Sequence, residues 1–170
     1  MEFIVIFLVI LVIVILIYRS LLPKIKKKDL IDKLNKYLIN TKNDFELNIL
    51  KNDIYDIDLK VNNKHYAIKV LIIPEYSEIQ INNRSTWELK YGAGNTPGKV
   101  QPHKRYLNEI SAFQARNFNN DITKLVLISP KPKKVVKYIN ECEIVFVTPK
   151  VDVYGSRIIT LDNFVIFKKQ

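Results

Sequence analysis

Between Phe3 and Tyr18 the chain carries no charge, no glycine, no proline and no amide side chain. Extended to Leu22, the stretch is twenty residues long. Twenty residues in a helix span about 30 Å, the thickness of the hydrocarbon core of a bilayer. A helix that is apolar all round has no polar face to give to water. The sequence therefore predicts a single transmembrane anchor over residues 1–22, and everything that follows is read as tethered to a membrane. A cleaved signal peptide is the alternative. It calls for a basic start, a shorter apolar core and small residues at a cleavage site. Here Glu2 precedes the run and no Ala-x-Ala follows it, so the uncleaved anchor is the reading adopted.

The C-terminal flank of the run is basic: Arg19, Lys24, Lys26, Lys27 and Lys28. By the positive-inside rule these residues place the tethered part in the cytoplasm, and Tyr18 sits where an interfacial aromatic belongs. Pro23 is expected to end the helix, because proline lacks the amide hydrogen and clashes with the preceding turn. Residues 23–28 then form a basic juxtamembrane segment and residues 29–170 a single domain, too short for two comfortable ones. Glu2 and Arg19 cancel, so the formal charge of +10 belongs to the tethered part. A local cluster lies at Lys131, Lys133, Lys134 and Lys137. Such charge suits anionic lipid or nucleic acid, but no aromatics interleave with it as they do in a base-stacking platform. The lone Cys142 excludes an intrachain disulfide and any zinc site built on cysteine pairs. Asn83-Arg84-Ser85 is a glycosylation sequon in an Asn-rich chain, where one match carries little weight.

Periodicity organises the rest. Asp29 can cap a helix to Asn40, with Leu30, Ile31, Leu34, Tyr37 and Leu38 on one face. Phe45 to Leu50 alternates as a short strand. Tyr55 to Val61 and Lys64 to Ile73 read as two strands joined by Asn62-Asn63, a two-residue hairpin signal. Glu75 to Tyr91 suggests another hairpin turning near Asn82-Asn83-Arg84. Gly92 to Pro102 is a loop. A helix is expected from His103 to Asn117, with Leu107, Ile110 and Phe113 inward, and a shorter one from Lys134 to Asn140. Leu125 to Ile128 and Ile144 to Val147 read as buried strands, and Ile158 to Phe167 as one or two edge strands. The order is helix, three mostly antiparallel strands, helix, strand, helix, strand, which gives an α/β fold: an α+β mixed sheet with helices packed on it.

That order resembles the restriction-endonuclease-like fold of the PD-(D/E)xK nucleases, and within them the nuclease-related domains. The resemblance covers roughly Asp29 to Pro149. It implies an Asp on the second strand and a Glu-x-Lys on the third, gathered around magnesium. Carboxylates hold the hard cation through oxygen and the lysine helps place the attacking water. If Asn62-Asn63 is the turn, Asp58 faces Ala67 and Asp56 faces Lys69, and all four share one side of the sheet. Asp58 or Asp56 and Lys69 then fill their places, but Ala67-Ile68-Lys69 stands where Glu-x-Lys belongs. Glu88-Leu89-Lys90 is a spare Glu-x-Lys that falls after a polar insertion. Trp87, Pro97 and Gln101-Pro102-His103, leading to a helix with Leu107, continue the likeness. Asp56 with Lys69 also reads as a plain cross-strand ion pair, and His65 and His103 as surface histidines.

Size and layout also resemble the 19 kDa per os infectivity factor family of baculoviruses and related insect DNA viruses. That resemblance rests on the apolar anchor followed by Arg19, Lys24 and Lys26-Lys27-Lys28. It extends to the segment running through Gly92, Gly94, Pro97 and Lys99 to His103, Arg105 and Tyr106. It implies a single-pass protein of the virion envelope, sorted through the host inner nuclear membrane, that works among other envelope proteins in an oral-infectivity complex. Two functions follow. One is a non-catalytic membrane-anchored subunit on a degenerate nuclease scaffold, with no cofactor, binding through the Gly92–Tyr106 segment. The other is an active membrane-tethered magnesium nuclease using Asp56, Asp58 and Lys69. Ala67 favours the first, since a fold does not carry activity without its site.

Overall fold

The structure is a computed structural model that describes residues 2–41, 44–50, 54–119, 121–140 and 142–164. It opens with one helix, α1 (Glu2–Asn40), which runs through Pro23 without a break. The expectations that Pro23 stops the helix and that Asp29 caps a second one are both corrected. A proline removes one hydrogen bond and crowds the carbonyl four residues back. Here Leu21, Leu22, Lys24 and Lys26 around it are good helix formers, and the stripe that follows is held by packing. Leu30, Ile31, Leu34 and Leu38 recur at three- and four-residue spacing and are buried. Asp29 pairs instead with Lys33, one turn on, at 2.6 Å. Ile4 to Tyr18, by contrast, is exposed all round. α1 is thus one N-terminal helix long and apolar enough to cross a membrane.

The stripe packs on a five-stranded sheet ordered β1-β2-β3-β7-β10. β1 (Phe45–Ile49), β2 (Ile57–Val61) and β3 (Lys64–Ile72) form an antiparallel meander, and β7 (Ile122–Ser129) and β10 (Ser156–Ile159) add in parallel. The sheet is covered on both sides, which is why the centre of β7, Leu125 to Ile128, is wholly apolar. Ile57, Leu59, Ile68 and Leu125 meet α1 on one face. Ala67, Leu71, Val126 and Ile128 meet α2 (Asn108–Ala115) on the other, through Ile110 and Phe113.

The one-sheet expectation is corrected by a second sheet, ordered β6-β5-β4-β8-β9, whose Ile79, Ile81, Trp87 and Leu89 close that second core. β4 (Glu78–Ile81) and β5 (Trp87–Tyr91) are the expected hairpin. β6 (His103–Tyr106) replaces the first turns of the expected helix: its four exposed polar and aromatic side chains have no apolar stripe, so they make an edge strand on β5. β8 (Lys134–Tyr138) replaces the expected short helix, because Val135 and Val136 are β-branched and gain burial by pairing parallel to β4. β9 (Ile144–Phe146) is a strand as expected but an exposed edge, not a buried one. After β10 the chain turns into α3 (Leu161–Phe164), whose Phe164 packs edge-on against Tyr37; residues 165–167 of the expected final strands lie outside the described residues.

Candidate functional site around Asp56

Asn62 and Asn63 both adopt positive φ, 47° and 64°, the conformation a two-residue hairpin demands. The turn sets the register: Val61 faces Lys64, Leu59 faces Tyr66 and Asp58 faces Ala67, as the sequence predicts. Asp56 lies just before β2, with its N–H donated to the carbonyl of Ile68 and its own carbonyl accepting the N–H of Leu50. These two backbone bonds leave its side chain pointing at the upper part of β3.

Asp56 is the most enclosed carboxylate of the site, its side chain only 6% exposed. Oδ2 accepts the N–H of Val70 at 2.7 Å, which continues the ladder where β2 has not yet begun. Oδ1 accepts from Lys27 Nζ of α1 at 2.6 Å. Lys69 Nζ lies 3.9 Å from the same oxygen. The ion pair expected from Asp56 and Lys69 is therefore present, but Lys27 is the closer partner. An ionised carboxylate survives burial when paired and hydrogen-bonded, and Asp56 has both. The sequence puts Lys27 in the membrane flank; the structure turns it inward while Lys24, Lys26 and Lys28 stay exposed.

Asp58 goes elsewhere. Its Oδ1 meets His65 Nε2 at 2.6 Å, a diagonal cross-strand pair that gives His65 a definite partner. Asp56 and Asp58 are thus directed to different partners. Ala67, fully buried, offers only a methyl between Asp58 on one side and Lys124 on the other, its partner on β7. Among the described residues no cluster of three or more His, Cys, Asp or Glu side chains gathers at one point.

Lys124 escaped the sequence reading. Its ammonium donates to the carbonyl of Gln114 at 3.1 Å and lies 5.7 Å and 5.5 Å from the ring centres of Phe113 and Phe118. Arg84 donates to the same carbonyl. Burial first, and then the charge of Arg84, push the Lys124 ammonium below the ordinary lysine range. Gln114 in turn donates to Ser156 at 2.7 Å. The sequence signal for it is alternation: Lys124, Val126 and Ile128 share one face, although the apolar run itself starts only at Leu125. Ala67 thus sits between an acid and a base in the register, and the ammoniums beside Asp56 are those of Lys27 and Lys69, where magnesium chemistry needs carboxylates.

Glu88 and Lys90 of the spare Glu-x-Lys lie on β5 in the second sheet, where they pair with each other at 3.8 Å. The Gly92–Tyr106 segment is an exposed loop leading into β6. Gly92 has φ 104°, and a Cβ there would come within 2.7 Å of the His103 ring. Gln101 staples the base of the loop, accepting the N–H of Ala93 at 2.8 Å and donating to the carbonyl of Tyr76 at 3.0 Å. Pro97, Lys99, Arg105 and Tyr106 are exposed, with Arg105 near Glu109 at 3.4 Å. A second surface was missed: Ile144 (47% exposed) and Phe146 (64% exposed) stand out from the β9 edge. Comparison with protein-family models, with curated proteins and with solved structures gave no match.

Proposed function

We propose that the chain is a membrane-anchored, non-catalytic interaction protein on a degenerate restriction-endonuclease-like scaffold. Its place, by its resemblance to the 19 kDa per os infectivity factors, is as a subunit of an oral-infectivity complex in a viral envelope. The observation that carries the non-catalytic part is Lys27 Nζ at 2.6 Å from Asp56 Oδ1, with Lys69 behind it. A cation already sits on Asp56, the one buried carboxylate among the described residues. Magnesium would have to displace an ammonium and then share the site with two, with Ala67 supplying no oxygen. The scaffold reading is supported by the first sheet: α1, an antiparallel β1-β2-β3 meander and, after strands β4, β5 and β6 of the second sheet, α2 and then β7 parallel to β3. The anchor reading is supported by the exposed apolar half of α1. In this reading α1 is not cleaved, no cofactor is held, and the partners are the membrane and other envelope proteins. The host inner nuclear membrane and the virion envelope are the locations the resemblance implies. The binding surfaces are the Gly92–Tyr106 segment and the β9 edge.

The test is magnesium-dependent cleavage of plasmid and single-stranded DNA by the full chain in detergent micelles. No cleavage is expected, and Asp58→Ala changes nothing. Cleavage abolished by Asp56→Ala or Lys69→Ala would establish the nuclease instead. Affinity purification from solubilised membranes checks the partners. A reproducible set of membrane proteins, lost when Gly94–Lys99 is replaced with the fold intact, is the expected result.

A further inference from the structure

The route of α1 fixes which end of the first sheet points at the bilayer. Lys27, which reaches Asp56, lies five residues past Leu22, about 8 Å along a helix. Headgroups occupy roughly that depth on each side of the hydrocarbon core. The Asn62-Asn63 turn lies at the far end, where Asn62 donates to the carbonyl of Asp44, just beyond the end of α1. So β3 starts away from the bilayer and runs toward it, and β7, parallel to it, does the same. Both strands leave the sheet together: Ile73 N–H donates to the carbonyl of Ser129, and Lys133 N–H to that of Ser77. The corner they form, residues 73–77 and 130–133, lies beyond the level of Asp56 and Val70. Tyr76, Lys131 and Lys133 are exposed on it. With Lys24, Lys26 and Lys28 of α1 they offer five ammoniums and an amphipathic ring at headgroup depth, against the single carboxylate of Glu75 among the described corner residues.

We infer that this corner rests on anionic lipid headgroups, so that the domain is held against the bilayer at two places rather than hanging from one helix. The inference depends on α1 being a membrane anchor. Lys131 and Lys133 each meet the negative surface potential, and Tyr76 takes the interfacial position that such rings prefer. Each lysine favours the contact roughly fivefold, so the two together favour it on the order of 25-fold.

The experiment uses the full chain in nanodiscs with a Cys142→Ser background. A dye is placed at Lys131→Cys, or at Asn63→Cys as the far-end control, and headgroup-labelled lipid quenches it. With phosphatidylserine present, the dye at 131 should be strongly quenched and the dye at 63 hardly at all. Quenching at 131 should fall in phosphatidylcholine alone and in high salt. A Lys133→Glu change should lower it while the chain still co-elutes with the discs. Equal quenching at both positions, or none at 131 in a chain that co-elutes, overturns the inference and leaves the anchor standing. Loss of quenching on adding single-stranded DNA would make nucleic acid the ligand of the corner. A chain that does not co-elute with the discs removes the anchor, and this inference with it.

Discussion

The two halves of α1 are built from the same aliphatic side chains and are used in opposite ways. From Ile4 to Tyr18 every side chain is apolar and every one is exposed. From Leu30 to Leu38 only the residues on one stripe are apolar and they are the buried ones. Hydrophobicity alone does not say whether a residue belongs in a protein core; its spacing against polar neighbours does. A helix with a polar face can be finished by a sheet, whereas one without a polar face needs a solvent that is apolar in every direction. Because α1 does not break at Pro23, these two environments are joined by a continuous rod. Lys27 lies near the join, and its salt bridge with Asp56 ties the rod to the sheet.

The largest expected effect breaks the outer half. Replacing Leu11 and Val12 with Lys costs about 3 kcal/mol each at mid-helix, roughly 6 kcal/mol together. Fractionation should find the double variant out of the membrane, with the melting of the domain unchanged. The inner half is broken by Leu34→Ala, which removes a fully buried side chain and should destabilise the domain by about 2–5 kcal/mol in denaturant titration. Membrane retention should be unaffected, so the two variants give mirror-image results. Equal effects on both readouts from either variant would erase the distinction between the halves.

The join comes next. Lys27→Met leaves Asp56 enclosed with the Val70 N–H and the more distant Lys69. A hydrogen bond to a charged group is lost, at a site about a third exposed on the lysine side, for an expected cost of about 1–2 kcal/mol. Lys24→Met or Lys28→Met, on exposed side chains, should stay within about 0.5 kcal/mol.

The smallest effect contrasts Lys27 with a lysine held by a carbonyl and two rings instead of a carboxylate. Burial lowers the Lys124 ammonium from its ordinary value, so the unfolded chain binds more protons than the folded one over that interval. Stability from this group therefore rises with pH up to the ordinary lysine value of about 10.4. Lys124→Met should be at least as stable at neutral pH and should lack that rise. Tyr66, whose hydroxyl is raised by burial, works in the opposite sense above about pH 10, but it does so in both proteins and drops out of the difference. Urea titrations of the pair across pH 7 to about pH 10 measure it.

How far the fold could be read follows local chemistry. The first sheet was legible because Asn62-Asn63 pins a register, and a register fixes every facing pair from Asp58–Ala67 outward. The second sheet was not. β8 carries Val135-Val136 between lysines, too short a run to tell strand from helix, and what decides it is β4, more than fifty residues away. The edge strand β6 has no apolar residue to announce it, and β9 was read as buried because its apolar residues were assumed to face a core. At the site, Asp56, Asp58 and Lys69 came from the hairpin rule. Lys27 did not, since a basic residue after an apolar run reads as a membrane flank until a helix carries it over a sheet.

Anchoring depends on α1 staying whole. The direct measurement is the intact mass of the protein recovered from membranes washed with alkaline carbonate. The expected result is a chain in the pellet that retains Phe3–Leu22, at the 19.9 kDa of the full sequence. A protein in the supernatant whose mass begins beyond Leu22 would contradict it: the outer half of α1 would be a discarded leader, and the domain would have no bilayer to face.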